Sequence, residues 1–259
     1  MISGVTDRKQ EGRFRFPRPL VPTLAPVSGT TSHIGTLRET PLHADLKRWY
    51  ALSDDEIEVP VDGYVVDLVR ADLLIEIQTS GFSSMKKKLA NLLMRGHRVR
   101  IVHPIAAEKR IVKVDDDGTI VDSRRSPKRG AVVDVFSELV SFPDLVVDGD
   151  LEIEVVLTRE DEYRRHTPGR SWRRKGWSVM ERRLVEIVDT RLITDRRALA
   201  SLLPDALPET FTTADLAMRL DRPRRLAQQM AYCLRESRVI ASVGKQGNAM
   251  EYAIVDEIR

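Results

Sequence analysis

Apolar residues recur along this chain at different spacings, and the changes of spacing divide it into segments. From Leu37 to Leu52, the residues Leu42, Leu46, Trp49 and Tyr50 fall at helical intervals behind Thr40 and Pro41, which have the form of an N-cap and a first-turn proline. Two β-rich runs follow, 57–69 and 73–79, then a helix over 83–95 opened by SGFSS and a strand over 98–103. The segment KRIVKVDDDGTIVDS reads as two short strands around Asp117-Gly118, a dipeptide suited to a tight hairpin turn. After the loop RRSPKRG, a helix near 132–140 and a strand near 151–158 complete a mixed α/β domain with a central sheet, expected to span residues 34–160. Before it, residues 1–33 carry Pro17, Pro19, Pro22 and Pro26 without sustained periodicity and read as a disordered arm.

Beyond residue 160 the expected order is a basic linker over 161–178 and a helical, DNA-binding domain over 179–259. MERRLVEIVDTRLI and DRRALASLL read as helical. A short helix after Thr213, a break at Leu220-Asp221-Arg222-Pro223, a longer helix to about Glu236 and two β-like runs, VIASVG and MEYAIV, then follow. Helix, turn, longer helix and two-stranded wing is the winged-helix order. The longer helix sets Leu226, Met230 and Leu234 on one apolar stripe. Arg222, Arg224, Arg225, Gln228 and Gln229 are left toward its start and outer face, with Lys245 at the wing tip. Arginine forks and glutamine amides are side chains that reach phosphates and base edges.

Charge sharpens this picture. Residues 1–158 carry 22 Lys/Arg against 24 Asp/Glu, whereas residues 159–259 carry 20 against 15, so the basic excess is C-terminal. Within 164–183 there are eight Lys/Arg and one acid, interleaved with Trp172 and Trp177, a density that suits phosphate contact. One cysteine, Cys233, argues against a disulfide framework and favours a reducing cytoplasm. The apolar runs are broken by acids well short of the ~20 residues a membrane helix needs, and no apolar h-region follows the basic N-terminus. The histidines show no metal-ligand spacing, and neither a glycine-rich phosphate loop nor a nucleophile elbow is present.

The chemistry concentrates in VDGYVVDLVRADLLIEIQT, residues 61–79. A two-residue turn at Ala71-Asp72 places Asp67 opposite Glu76 and Val65 opposite Gln78, so the two carboxylates share a face. A three-residue turn instead sets Val66 opposite Glu76 and brings Asp62 and Tyr64 onto the glutamate's face. Asp67 is preferred over Asp62, because a carboxylate inside an apolar strand is costly unless a metal or donor compensates it. Hard divalent ions such as Mg²⁺ take oxygen ligands, and a Lewis acid is what phosphodiester hydrolysis near neutral pH needs.

Asp67, then Glu76-Ile77-Gln78 ending an apolar strand, then the helix SSMKKKLANLL and a further strand, resemble the core of the PD-(D/E)XK nuclease superfamily, in particular its Holliday-junction-resolvase-like branch. The resemblance covers roughly residues 37–115 and implies a restriction-endonuclease-like mixed sheet flanked by helices. It also implies Mg²⁺- or Mn²⁺-dependent cleavage of duplex or branched DNA by Asp67, Glu76 and Gln78. An acid of the first helix, Glu39 by position with Asp45 as fallback, would join Asp67 and Glu76 as metal ligand. Gln78 stands where the superfamily usually has lysine, and Lys86, Lys87 or Lys88 could supply the cation from the next helix. The alternative is a DNA-binding regulator or adaptor on a degenerate nuclease-like domain, and a homodimer is compatible with either.

Overall fold

A computed structural model describes residues 39–145, 149–169 and 174–258, so the expected arm over 1–33 lies outside the described residues. Helix α1 (Pro41–Tyr50) starts where its cap predicts, with the Thr40 hydroxyl accepting from the His43 N–H. The run read as one strand over 57–69 is two, β1 (Glu56–Val61) and β2 (Tyr64–Arg70), folded about Asp62-Gly63. Both turn residues have positive φ, 49° and 83°, the conformation of a tight hairpin turn. β3 (Leu73–Ile77) then pairs with β2 so that Arg70 faces Leu73, Val69 faces Leu74 and Leu68 faces Ile75. That is the register of the two-residue turn at Ala71-Asp72.

A 3-10 turn, Phe82–Met85, leads into α2 (Lys86–Met94), and β4 (Arg98–Val114) returns parallel to β3. The hairpin about Asp117-Gly118 forms between β4 and β5 (Ile120–Arg125), with the Asp115 carboxylate accepting from the Asp117 and Thr119 N–H groups. α3 (Phe136–Leu139) continues a 3-10 turn over Val132–Val135. β6 (Leu151–His166) and β7 (Trp177–Ile193) complete a seven-stranded mixed sheet of order β1-β2-β3-β4-β6-β7, with β5 on the distal half of β4.

Two expectations are corrected by β6 and β7. The sheet does not end near residue 160: β6 runs to His166, so residues 161–166 and 177–178 of the stretch read as a basic linker are strand residues of β6 and β7. MERRLVEIVDTRLI is β7, an edge strand antiparallel to β6, rather than a helix. Within that stretch, Asp161 and Glu162 pair across strands with Arg110 and Lys109 of β4, and Arg164 pairs with Glu162.

One face of the sheet buries Leu42, Leu46 and Tyr50 of α1 against Leu68, Ile75, Ile77, Val102 and Val156. The other packs Leu89 and Leu92 of α2 and Phe136 and Leu139 of α3 over Leu74, Val99, Ile101, Ile153 and Val155, with Phe82 stacked on Phe142. This second core does not stop at the sheet. It continues into the C-terminal elements α4 (Arg196–Ala200), β8 (Phe211–Thr212), α5 (Thr213–Leu220), α6 (Arg224–Glu236), β9 (Ile240–Gln246) and β10 (Ala249–Ile254). α5 is opened by a Thr212/Asp215 capping box and closed by Asp221 at φ 49°, which turns the chain into α6. Leu226, Met230 and Leu234 are buried as their stripe predicts, and β8, β10 and β9 form a small antiparallel sheet. Among the described residues no helix is long and apolar enough to cross a membrane.

Candidate functional site

Pairing between β2 and β3 stops at Leu68 and Ile75, one step before Asp67 and Glu76 would face each other in the ladder. From there the strands separate, and side chains satisfy the backbone groups that the ladder abandons. The Asp67 Oδ2 accepts the Ile77 N–H at 2.8 Å. Lys88, reaching down from α2, donates to the Val65 carbonyl and to Glu76 Oε1, both at 2.5 Å. The two acids, the lysine and the fork between the strands thus form one half-buried cluster.

On the α1 side the cluster continues through a histidine that sequence spacing did not single out. His43 holds Glu39 Oε1 at 2.7 Å with Nδ1 and Asp67 Oδ2 at 3.2 Å with Nε2. Lys47 then bridges Glu39 and Glu58, each at 2.7 Å. The signal for His43 was its place three residues after Thr40, which sets it on the first turn of α1, above the sheet. Glu39 therefore reaches Asp67 through the imidazole rather than beside it. Asp45, the fallback, accepts from the Leu184 N–H of β7 and pairs with Arg48, away from the cluster.

The electrostatics separate the two strand acids. Burial pushes the Glu76 carboxyl up to about 7, a rise the nearby Asp67 reinforces and Lys88 opposes. Burial acts on Asp67 in the same direction, but the His43 contact and the Ile77 N–H outweigh it and hold this carboxyl below its ordinary range. His43 is correspondingly raised: burial disfavours its charge, and hydrogen bonds to Asp67 and Glu39 more than restore it. One carboxylate is held ionised while its neighbour titrates near neutrality.

Gln78 lies two residues beyond Glu76 and leaves the sheet. Its Nε2 lies within hydrogen-bond distance of Ser80 Oγ, Gly81 O and Ser84 Oγ, so its amide ties down the loop before α2 while Oε1 remains an acceptor. Its backbone carbonyl accepts from the buried His103. Lys86 and Lys87 face solvent, and only Lys88 turns inward. Asp62 sits in the β1–β2 turn, paired with Arg95 and His97, and takes no part.

Among the described residues no group of three or more His, Cys, Asp or Glu side chains stands ready to hold a metal ion. The carboxylates of Asp67 and Glu76 are hard oxygen ligands of the kind Mg²⁺ or Mn²⁺ takes. The donor set matches such an ion in chemistry, while in this structure Asp67 is held by His43 and the Ile77 N–H and Glu76 by Lys88.

The residues expected to face DNA fall into two groups. Arg224, Arg225, Gln228 and Lys245 are exposed, and Gln229 is half-buried. Arg222 is not available in the same way, since it pairs with Asp134 at 3.2 Å and donates to the Arg129 carbonyl at 3.4 Å. In the basic stretch 164–183, Arg164 pairs with Glu162, Arg183 with Glu181, and Arg182 with Glu160 and the Thr79 carbonyl. Trp177 packs under Lys113 and against His166, and Trp172 lies outside the described residues.

A family model described as a domain of unknown function, DUF8091, matches residues 40–194. These bounds run from the cap of α1 to the residue after β7, taking in the whole large sheet and the Asp67–Glu76 cluster. An uncharacterized protein of Treponema pallidum (strain Nichols) is 32% identical over 186 residues, covering 71% of this chain and 73% of the relative. No solved structure matches. The family model thus spans the sheet unit that carries the cluster, and the chain belongs to the DUF8091 family.

Proposed function

We propose that the protein is a metal-dependent DNA endonuclease, with a restriction-endonuclease-like sheet that cuts and a winged helix over Phe211–Ile254 that holds the duplex. The observation that carries this reading is the fork between β2 and β3, where Asp67 and Glu76 meet beside an inward lysine from the following helix. Asp67 and Glu76 would hold Mg²⁺ or Mn²⁺, which supplies Lewis-acid activation of the phosphoryl oxygen and of water. Glu39 orients Asp67 through His43 and helps keep it ionised. Gln78 Oε1 can accept a hydrogen from the attacking water and so orient it, its amide nitrogen being fixed by the Ser80–Ser84 loop. Lys88, which pairs with Glu76 in this structure, would take the place of the superfamily's usual lysine and offer its ammonium to the scissile phosphate.

The test is nicking of supercoiled or branched DNA with Mn²⁺. Activity is expected from the wild type and lost in Glu76→Ala, with DNA affinity nearly unchanged; equal cleavage by that variant would refute the assignment.

A second reading rests on the same fork. Asp67 and Lys88 satisfy backbone groups that the separated strands leave unpaired, and Lys88 already neutralises Glu76, so the cluster is also a self-sufficient structural lock. On this reading the protein is a DNA-binding adaptor. Calorimetric titration with Mn²⁺ separates the two: heat of binding lost in Glu76→Ala supports the nuclease, and no heat in either protein supports the adaptor.

A further inference from the structure

The loop RRSPKRG, residues 124–130, connects β5 to the 3-10 turn at Val132–Val135, and the fold sets it beside the start of α6. From Ser123 to Val133 there are four cations and no acid. Arg124, Arg125, Lys128 and Arg129 are all exposed, and among the described residues none of them forms an ion pair. Arg125 faces Arg110 directly across the β4–β5 ladder, and like charges opposed in this way cost stability. Arg110 is neutralised by Asp161, while Arg125 has no acid of its own. Folding does not require that accumulation.

The loop is also held in shape. The Ser126 N–H donates to the Lys109 carbonyl at 2.7 Å and the Gly130 N–H to the Ala106 carbonyl at 2.9 Å, so both ends are stapled to β4 by backbone bonds. Gly130 is needed for this approach, since a Cβ there would lie 2.5 Å from Ile105 Cγ2 and 2.7 Å from the Ala106 carbonyl oxygen. At the far side, Arg222 donates to the Arg129 carbonyl and pairs with Asp134, locking the loop to the turn before α6. Arg224 and Arg225, the first two residues of that helix, are exposed and without ion pairs among the described residues.

We infer that Arg124, Arg125, Lys128 and Arg129, with Arg224 and Arg225, form a phosphate-binding edge for a nucleic-acid duplex, four of its six cations contributed by the sheet unit. Arg222 is the positioning residue that joins the two parts. The inference rests on the DNA-binding reading above and extends it from the helix pair to the β4–β5 arm. A duplex fits because it presents phosphates at close, regular spacing along a surface, and a row of unpaired cations gains by releasing its counterions. Such contacts fix register without reading sequence.

The test compares the full chain with Arg124→Gln/Arg125→Gln/Lys128→Gln/Arg129→Gln by fluorescence anisotropy on a short labelled DNA duplex across a salt series. Because the loop is anchored by backbone groups and loses the opposed Arg125–Arg110 charges, the variant is expected to melt at or slightly above the wild type. Each phosphate contact contributes about 0.9 to the slope of log K against log salt, so the slope should fall by about 2 to 4, with affinity down about ten-fold or more at low salt. The pair Arg224→Gln/Arg225→Gln should lower the slope separately, and the two losses should add. A quadruple variant with wild-type slope and affinity overturns the inference while leaving DNA binding intact. A wild type that binds no duplex at any salt overturns the DNA-binding reading itself. Binding to anionic phosphatidylserine vesicles but not to duplex overturns the nucleic-acid assignment.

Discussion

At the scale of single residues, Glu76 is the group whose ionisation the fold opposes. Its carboxyl has an ordinary value of 4.5 and is carried to about 7 in the folded protein, so the fold favours the neutral acid. Ionising it costs stability progressively as pH rises from about 4.5 to 7, and the penalty, about 3 kcal/mol, is complete above that window. The unfolding free energy of Glu76→Gln, measured in urea, should therefore gain on the wild type by up to about that amount between pH 4.5 and 7.5. Equal pH dependence in both proteins would contradict the burial argument. Lys88 opposes the rise, so Lys88→Met should move the Glu76 titration to still higher pH, as followed by carboxyl-carbon NMR. These properties of Glu76 were only partly legible in the sequence. The two-residue turn and its register through Leu68 and Ile75 follow from the sequence, as does the part taken by Asp67 rather than Asp62, but the ladder ends one step short of the expected Asp67–Glu76 pair. The contributions of His43 and the inward turn of Lys88 come from α1 and α2 packing on opposite faces of the sheet, which no local spacing encodes.

At the scale of elements, local chemistry was readable at Thr40-Pro41 and at the Asp117-Gly118 turn, which sit where their residue types require, but not at Asp62-Gly63, where apolar residues on both sides read as one strand. The Thr212/Asp215 box that opens α5 is a finding of the structure. Thr212→Ala should cost about 1 kcal/mol of stability through loss of the α5 cap, read as a lowered denaturation midpoint. β7 was misread because its acids and arginines also fit helical spacing. What makes it a strand is its partner β6, along which it pairs over its whole length. The extent of β6 was hidden for a similar reason. Glu160, Asp161 and Glu162 look like a solvated charge run, yet all three are buried, with partners on β4 and β7. Glu160 is fully buried, held by the Thr158 hydroxyl and 3.7 Å from Arg182, so Arg182→Ala, which also removes the bond to the Thr79 carbonyl, should lower stability by about 1 kcal/mol or more, measurable by urea denaturation.

At the scale of the whole molecule, the sheet unit and the C-terminal helices share one core. α6 contributes Met230, Ala231 and Leu234 to the cluster that holds Phe136 and Leu139 of α3, and the Ser237 hydroxyl donates to the Pro143 carbonyl. A cut after Thr194 would expose that apolar surface, so residues 39–194 alone should aggregate or melt well below the full chain. The intact protein should show a single calorimetric transition with equal calorimetric and van't Hoff enthalpies. Two resolved transitions would mean that the shared core does not couple the parts. That docking bears on where a DNA strand would be cut. A recognition element on a flexible tether lets a nuclease centre wander and leaves breaks scattered along the substrate. Here α6 is packed against α3, and the Glu138 carboxylate of α3 accepts the Phe82 N–H in the loop that Gln78 ties down. On the proposed function, α6 and the fork would be two marks on one ruler, and breaks mapped by sequencing should fall at a fixed offset from the bound site.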